Sequence, residues 1–151
     1  NVQGAFLATE YLIRKKHSQP GYLHSSYMIT GFEERSDGFY KAIRRNGMST
    51  SLSIVHRLSP TVEGAYSDMK TLIENGDQLA RCYFADNDLI AAGAMRALTE
   101  AGYHIPQDIS VIGFDDMPMC TYTNPPLSTV HVPKQYMGEL AVKRLAEIKI
   151  R

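Results

Sequence analysis

The sequence predicts an α/β protein built on a doubly wound parallel sheet, and three observations carry that reading. Short apolar runs alternate with helix-period segments as far as residue 116, the pattern of repeated strand–helix units. Cys82-Tyr83-Phe84-Ala85, then the Ala-, Leu- and Met-rich stretch Leu89–Ala101, then Ser110–Phe114 read as strand, helix and strand, a crossover that joins parallel strands with a right-handed turn. The polar groups Asp86-Asn87-Asp88 and Asp115-Asp116 stand where those two strands end. In an open α/β sheet that edge is where ligands bind.

The elements follow in chain order. Gly4–Lys16 carries Ala5, Ala8, Leu12 and Ile13 on one helical face, and Arg14-Lys15-Lys16-His17 puts positive charge at its C-terminal end, where the helix dipole favours it. Pro20 turns the chain into a short strand, Gly21–His24. After the polar loop Ser25–Gly31, a helix is expected over Glu33–Asn46 with Phe39, Ala42 and Ile43 inward and Gly47 as its stop. Ser51–Leu58 alternates, with Leu52, Ile54, His56 and Leu58 on one side, and is expected to be a strand. Pro60-Thr61 opens a helix striped by Val62, Tyr66, Met69, Leu72 and Ile73, and Asn75-Gly76 ends it. In the central crossover Gly102 stands at the left-handed C-cap position of the helix Leu89–Ala101. Beyond Asp116 the proline-bearing stretch Met117–Pro126 reads as a long connection, Leu127–Val132 as a brief extended piece, and Lys134–Lys149 as an amphipathic helix. That helix has Met137, Leu140, Ala141, Leu145 and Ile148 inward, and no strand is expected after it.

Composition bounds the function. At 151 residues, 44% hydrophobic and 21% charged, the chain suits one soluble domain with a sizeable core. Sixteen basic residues balance sixteen acidic ones, so no overall basic field gathers nucleic acid. No apolar run approaches a membrane span and no secretory signal is visible. The chain opens in a helical pattern without an initiator Met, as expected of a fragment. Cys82 and Cys120 give neither a metal spacing nor a disulfide framework, which fits a reducing cytoplasm. No nucleophile elbow, phosphate loop or dinucleotide fingerprint is present, and the five histidines are scattered singly. No catalytic residue, metal ligand or cofactor is therefore assigned.

The polar residues at the strand ends differ. Asn87 donates and accepts, Asp115 accepts, and Arg35, early in the second helix, offers a planar fork of donors at the same edge. Together they suit a neutral polyol. Structural readings stand beside this one. Asp88 or Asn87 serves as the N-cap of the following helix, and for Asp88 capping is favoured over a ligand role. Asp116 caps the turn at Met117-Pro118, and Arg35 pairs with Glu33 or Asp37 on its own helix. The helix Leu89–Ala101 is apolar nearly all round, more than one stripe on a sheet requires. Either neighbouring helices of the same unit cover the surplus, or a second subunit does.

These residues also carry a family resemblance. FADNDLIAAGAMRALTEAGYHIPQDISVIGFDD followed by NPPLSTV, with Arg35-Ser36-Asp37-Gly38-Phe39 upstream, resembles the LacI/GalR family of bacterial transcription regulators. The similarity runs from Asn1 to about Ile148, with departures at Lys16, Pro20 and Ser128. The resemblance implies a periplasmic-binding-protein-like effector domain of two Rossmann-like lobes joined by crossover strands. Residues 1–127 would form most of the C-terminal lobe, 128–133 a crossover and 134–151 a helix of the N-terminal lobe. The DNA-binding helix-turn-helix module and most of the N-terminal lobe lie upstream in such proteins. Arg35, Asn87 and Asp115 fall on effector-contacting positions, with a sugar as the expected class. The outer side of Leu89–Ala101, with Leu89, Ala92, Gly93, Met95 and Arg96, falls on a homodimer interface. A transport-type solute-binding protein shares the fold and is the rival from another class. An enzyme on a doubly wound fold is a third class, without a nucleophile or phosphate loop to support it.

Overall fold

The computed structural model describes residues 1–132 and 146–151. Its helices are α1 (Val2–Lys16), α2 (Phe32–Arg45), α3 (Val62–Glu74) and α4 (Asp88–Glu100). Its strands are β1 (Gly21–Ser25), β2 (Val55–Leu58), β3 (Cys82–Ala85), β4 (Ser110–Phe114), β5 (Ser128–His131) and β6 (Glu147–Lys149). They form one sheet in the order β2-β1-β3-β4-β5-β6. The first five strands are mutually parallel, and β6 runs antiparallel to β5. The expected doubly wound α/β sheet is the observed one.

Two cores flank the sheet, and the strand period of two explains how one short run feeds both. Along β1 Tyr22 faces one core and Leu23 the other; along β3 the same holds for Phe84 and Tyr83, and along β4 for Ile112 and Val111. One core joins Tyr22, Phe84, Ile112 and Phe114 to Ala5, Ala8 and Leu12 of α1 and Phe39 and Ile43 of α2. The other joins Leu23, Tyr83 and Val111 to Met69 of α3 and Ile90, Ala94 and Leu98 of α4. A strand buried on both faces has no room for polar alternation, so β3 is buried throughout.

Three local expectations need correction. The strand predicted over Ser51–Leu58 is confined to Val55–Leu58, while Thr50–Leu52 is a 3-10 turn with Leu52 72% exposed. Alternation at residues 52 and 54 mimicked a strand, but only His56 and Leu58 go on to bury. The predicted helix Lys134–Lys149 lies mostly outside the described residues. Its last part, Glu147–Lys149, is strand β6, paired with β5. Finally, Asn87 and not Asp88 is the N-cap of α4, its Oδ1 accepting from the Ile90 N–H at 2.9 Å. Gly102 does take the left-handed conformation past α4, with φ +99°.

Candidate functional site

Because β1, β3, β4 and β5 are parallel, their carboxyl ends share one edge. α2 starts from that edge through Gly31, whose φ of +95° suits a glycine. This brings Arg35 over the sheet. Its side chain is not paired with Glu33 or Asp37. The guanidinium lies 3.9 Å from the centroid of Phe114 and 5.2 Å from that of Phe32. It donates from Nη1 to the Asp86 carbonyl and from Nε to Asn1 Oδ1 at 3.2 Å. Nη2 reaches Asp115 Oδ1 at 3.4 Å, a long contact. Burial lowers the Arg35 pKa, and the facing carboxylates of Asp115 and Asp86 oppose that shift.

Asp115 follows β4 with φ +114° and Asp116 with φ +61°, both in the left-handed region that non-glycine residues rarely adopt. The Asp115 side chain is 45% exposed. Arg35, Asp115, Asn1, Gln3, Phe114 and Val132 line a cleft of about 510 Å³. Asp116 does not cap the Met117-Pro118 turn. Its Oδ1 takes Arg151 at 2.9 Å, and its Oδ2 lies 3.3 Å from His131 Nδ1 on β5. Arg35 and Asp115 are therefore brought together. Asn87 stands one residue past the Asp86 carbonyl that holds Arg35, and its Oδ1 is occupied by capping α4.

Asp88 is wholly buried, accepting from Thr129 Oγ1 at 2.6 Å and from the Met117 N–H at 2.7 Å. Burial pushes its carboxyl above the ordinary value. It ties the start of α4 to β5 and to the connection after β4. Gly113 lets it in, since a Cβ there would stand 2.3 Å from Asp88 Oδ1. Asp86, also wholly buried, bonds to Tyr22, His24 and the Ser25 N–H, partners that its place in the polar triplet does not reveal. Tyr22 and His24 sit two apart on one strand and so share a face, the one available signal of that cluster.

The surplus apolar surface of α4 is largely covered within the chain. A Cβ on Gly93 would meet Val62 O at 2.4 Å and Tyr66 N at 2.7 Å, so the backbones of α3 and α4 are in contact there. Ala92 and Met95 are buried, and Met95 shares a core with Cys120 and Leu127. Of the five residues expected at a subunit interface, Leu89 is half-buried and Arg96 exposed, and the other three are packed inside. Arg96 stacks 4.2 Å over the Tyr66 ring. Tyr122, 85% exposed on the connection after β4, was not anticipated.

A hollow of about 840 Å³ beside Asp77, Arg81, Tyr103 and Asp108 lies at the opposite edge of the sheet, away from every candidate residue. Convergent polar groups and not volume therefore mark the candidate site. Among the described residues no cluster of His, Cys, Asp or Glu could hold a metal ion. No helix there is long and apolar enough to cross a membrane.

Residues 9–149 match the family model for the periplasmic binding protein-like domain. The chain belongs to that family. Its relatives narrow the placement to the LacI/GalR type. It is 40% identical over 143 residues to the HTH-type transcriptional regulator GalS of Salmonella typhimurium strain LT2, covering 95% of this chain and 42% of that protein. An Escherichia coli sugar-binding transcriptional regulator of the LacI family, complexed with phosphate, superposes with a TM-score of 0.77 at 32% identity, over 87% of this chain and 47% of that one. A LacI family regulator from Enterococcus faecium with bound ribose gives 0.77 at 30% identity, over 87% and 48%. The chain thus spans less than half the length of these transcriptional regulators.

Proposed function

We propose that this LacI/GalR-type chain is the effector-binding part of a bacterial transcription regulator, and that its effector is a sugar or a related small polar molecule. One observation carries the reading. Arg35 is fixed by the Asp86 carbonyl, Asn1 and the Phe114 ring, yet it shares an open cleft with the half-exposed Asp115. A guanidinium has five N–H donors, and the described residues occupy three of them. The remaining donors and the Asp115 carboxylate suit vicinal hydroxyls, which both donate and accept. Asn87 completes the set through its amide nitrogen. The chain after β5 leads toward a second lobe, and a helix-turn-helix module outside this chain binds operator DNA in the cytoplasm. No cofactor is called upon.

Operator binding through paired half-sites requires a homodimer. Leu89, Arg96 and Tyr122 form its surface, with Ala92, Gly93 and Met95 supporting it from within. Sedimentation tests this: Tyr122→Glu combined with Arg96→Glu should convert dimer to monomer, and an unchanged species would remove this surface.

For the regulator reading, the full-length protein should retard DNA from upstream of its own gene. A member of a sugar panel that includes ribose and galactose should change that retardation. A protein that binds a sugar but never DNA is the transport-type solute-binding protein instead.

A further inference from the structure

Beneath the proposed effector edge lies a polar network that the reading above leaves without a role. Asp86 is 0% exposed. Its Oδ1 accepts from the Tyr22 hydroxyl, and its Oδ2 takes His24 Nδ1 at 2.6 Å and the Ser25 N–H at 2.7 Å. Its own N–H donates to Leu23 O at 3.0 Å. Its carbonyl accepts from Arg35 Nη1. One residue therefore grips the end of β1 with its side chain and the guanidinium with its backbone.

The chemistry of the grip is one-directional. A carboxylate only accepts, so every partner has to donate. The Ser25 N–H has no alternative. The Tyr22 hydroxyl keeps its proton, because burial and the neighbouring Asp86 both raise its pKa. His24 then carries its proton on Nδ1. Three donors converging on one buried carboxylate leave the Asp86 peptide little freedom, and Arg35 is seated on that peptide. An arginine side chain free to rotate has much rotamer entropy to lose. A fork fixed beforehand does not pay it when a ligand arrives. The charges agree with the geometry. The groups facing this network are Tyr22 and His24 from β1, Arg35, Ser36 and Tyr40 from α2, Asp88 from α4 and Asp115 beyond β4. Arg35 is the one fixed cation among them, and Asp86 supplies a buried anion beside it.

We infer that Asp86 is the positioning residue of Arg35, holding the guanidinium in its ligand-ready orientation before any effector binds. This rests on the reading of Arg35 as an effector contact, but the two can fail separately. In the full-length protein labelled with ¹⁵N-arginine, the Arg35 Nε–H signal, assigned with Arg35→Lys, should be well dispersed and slow to exchange without any sugar present. In Asp86→Asn the amide turns a donor toward donors. The signal should then move toward that of a free arginine and exchange at least about tenfold faster, with the other arginine signals in place. An unchanged Arg35 signal overturns the proposal. If Asp86→Asn does not fold, Tyr22→Phe removes one donor from the carboxylate and should shift the same signal in the same direction; no shift there overturns it equally.

Affinity for ribose, with galactose as a second probe, supplies the functional arm. Asp86→Asn should weaken binding about tenfold and add nothing in an Arg35→Ala background. Losses that add would show a general structural role and overturn the proposal. Affinity indifferent to Arg35→Ala overturns the effector reading instead, while the Arg35 signal still decides the positioning.

Discussion

Asp86 and Asp115 each follow the last residue of a neighbouring strand in one parallel sheet, and they behave oppositely. Asp86 is wholly buried and meets three donors from β1. The Asp115 side chain is 45% exposed, and among the described residues it meets Arg35 alone, at 3.4 Å. What lies opposite makes the difference. Past β3 stands the end of β1, with Tyr22 and His24 on the facing side; past β4 stands a cleft. The same residue type at the same kind of position thus makes a fixed floor in one place and an open rim in the other. Burying a carboxylate is tolerable only where its acceptors are satisfied, and an exposed one is free to receive a ligand.

The largest effect is expected from breaking the floor. Asp86→Ala would orphan the Tyr22 hydroxyl, the His24 ring nitrogen and the Ser25 N–H in the interior. Urea denaturation should show a loss of about 3–5 kcal/mol. A loss below about 1 kcal/mol would mean that the floor is not held as described.

A smaller effect tests the packing of α4. Gly93→Ala places a methyl against Val62 O and Tyr66 N and should cost about 1–3 kcal/mol within one subunit. Were Gly93 at a subunit interface instead, the loss of stability would depend on protein concentration.

Much of this was legible in the sequence. Residues such as Ala5, Leu12, Phe39 and Ile43 announce their helix faces, and the apolar runs at Cys82 and Ser110 announce β3 and β4. That Arg35 and Asp115 meet at one edge was legible because strand ends and family likeness agreed. Other features depend on three dimensions. Asp86, Asn87 and Asp88 are adjacent acceptors, and only packing decides that the second caps α4 while the other two go inward. Likewise, a helix apolar all round reads the same whether its cover is α3 or another subunit. The strand at Glu147–Lys149 was read as helix because Ile148 continues a helical stripe, and pairing with β5 is a long-range contact that periodicity does not carry.

Asp88 gives a pH-dependent difference. Burial raises its carboxyl above the ordinary 3.8, so the folded state holds that proton more tightly than the unfolded chain. Its contribution to stability is therefore full below that ordinary value and is lost as pH rises through the raised folded value. Asp88→Asn does not ionise. The stability of wild type minus that of the variant should fall with rising pH in the window just above 3.8. A flat difference would mean that Asp88 is not desolvated.

The smallest stability effect belongs to the rim. Asp115 holds a φ of +114°, which glycine adopts without the side-chain penalty. Asp115→Gly should raise stability by about 0.5–1 kcal/mol while removing the carboxylate, so that stability and effector response move in opposite directions.

The most direct measurement is calorimetric titration of the full-length protein and its Asp115→Ala variant with whichever sugar of the panel the wild type binds, alongside their melting curves. Affinity should fall by about tenfold or more, the loss of a charged hydrogen-bond partner, with stability changed by no more than about 0.5 kcal/mol. Equal affinity in the two proteins would contradict the assignment of this edge as the effector site.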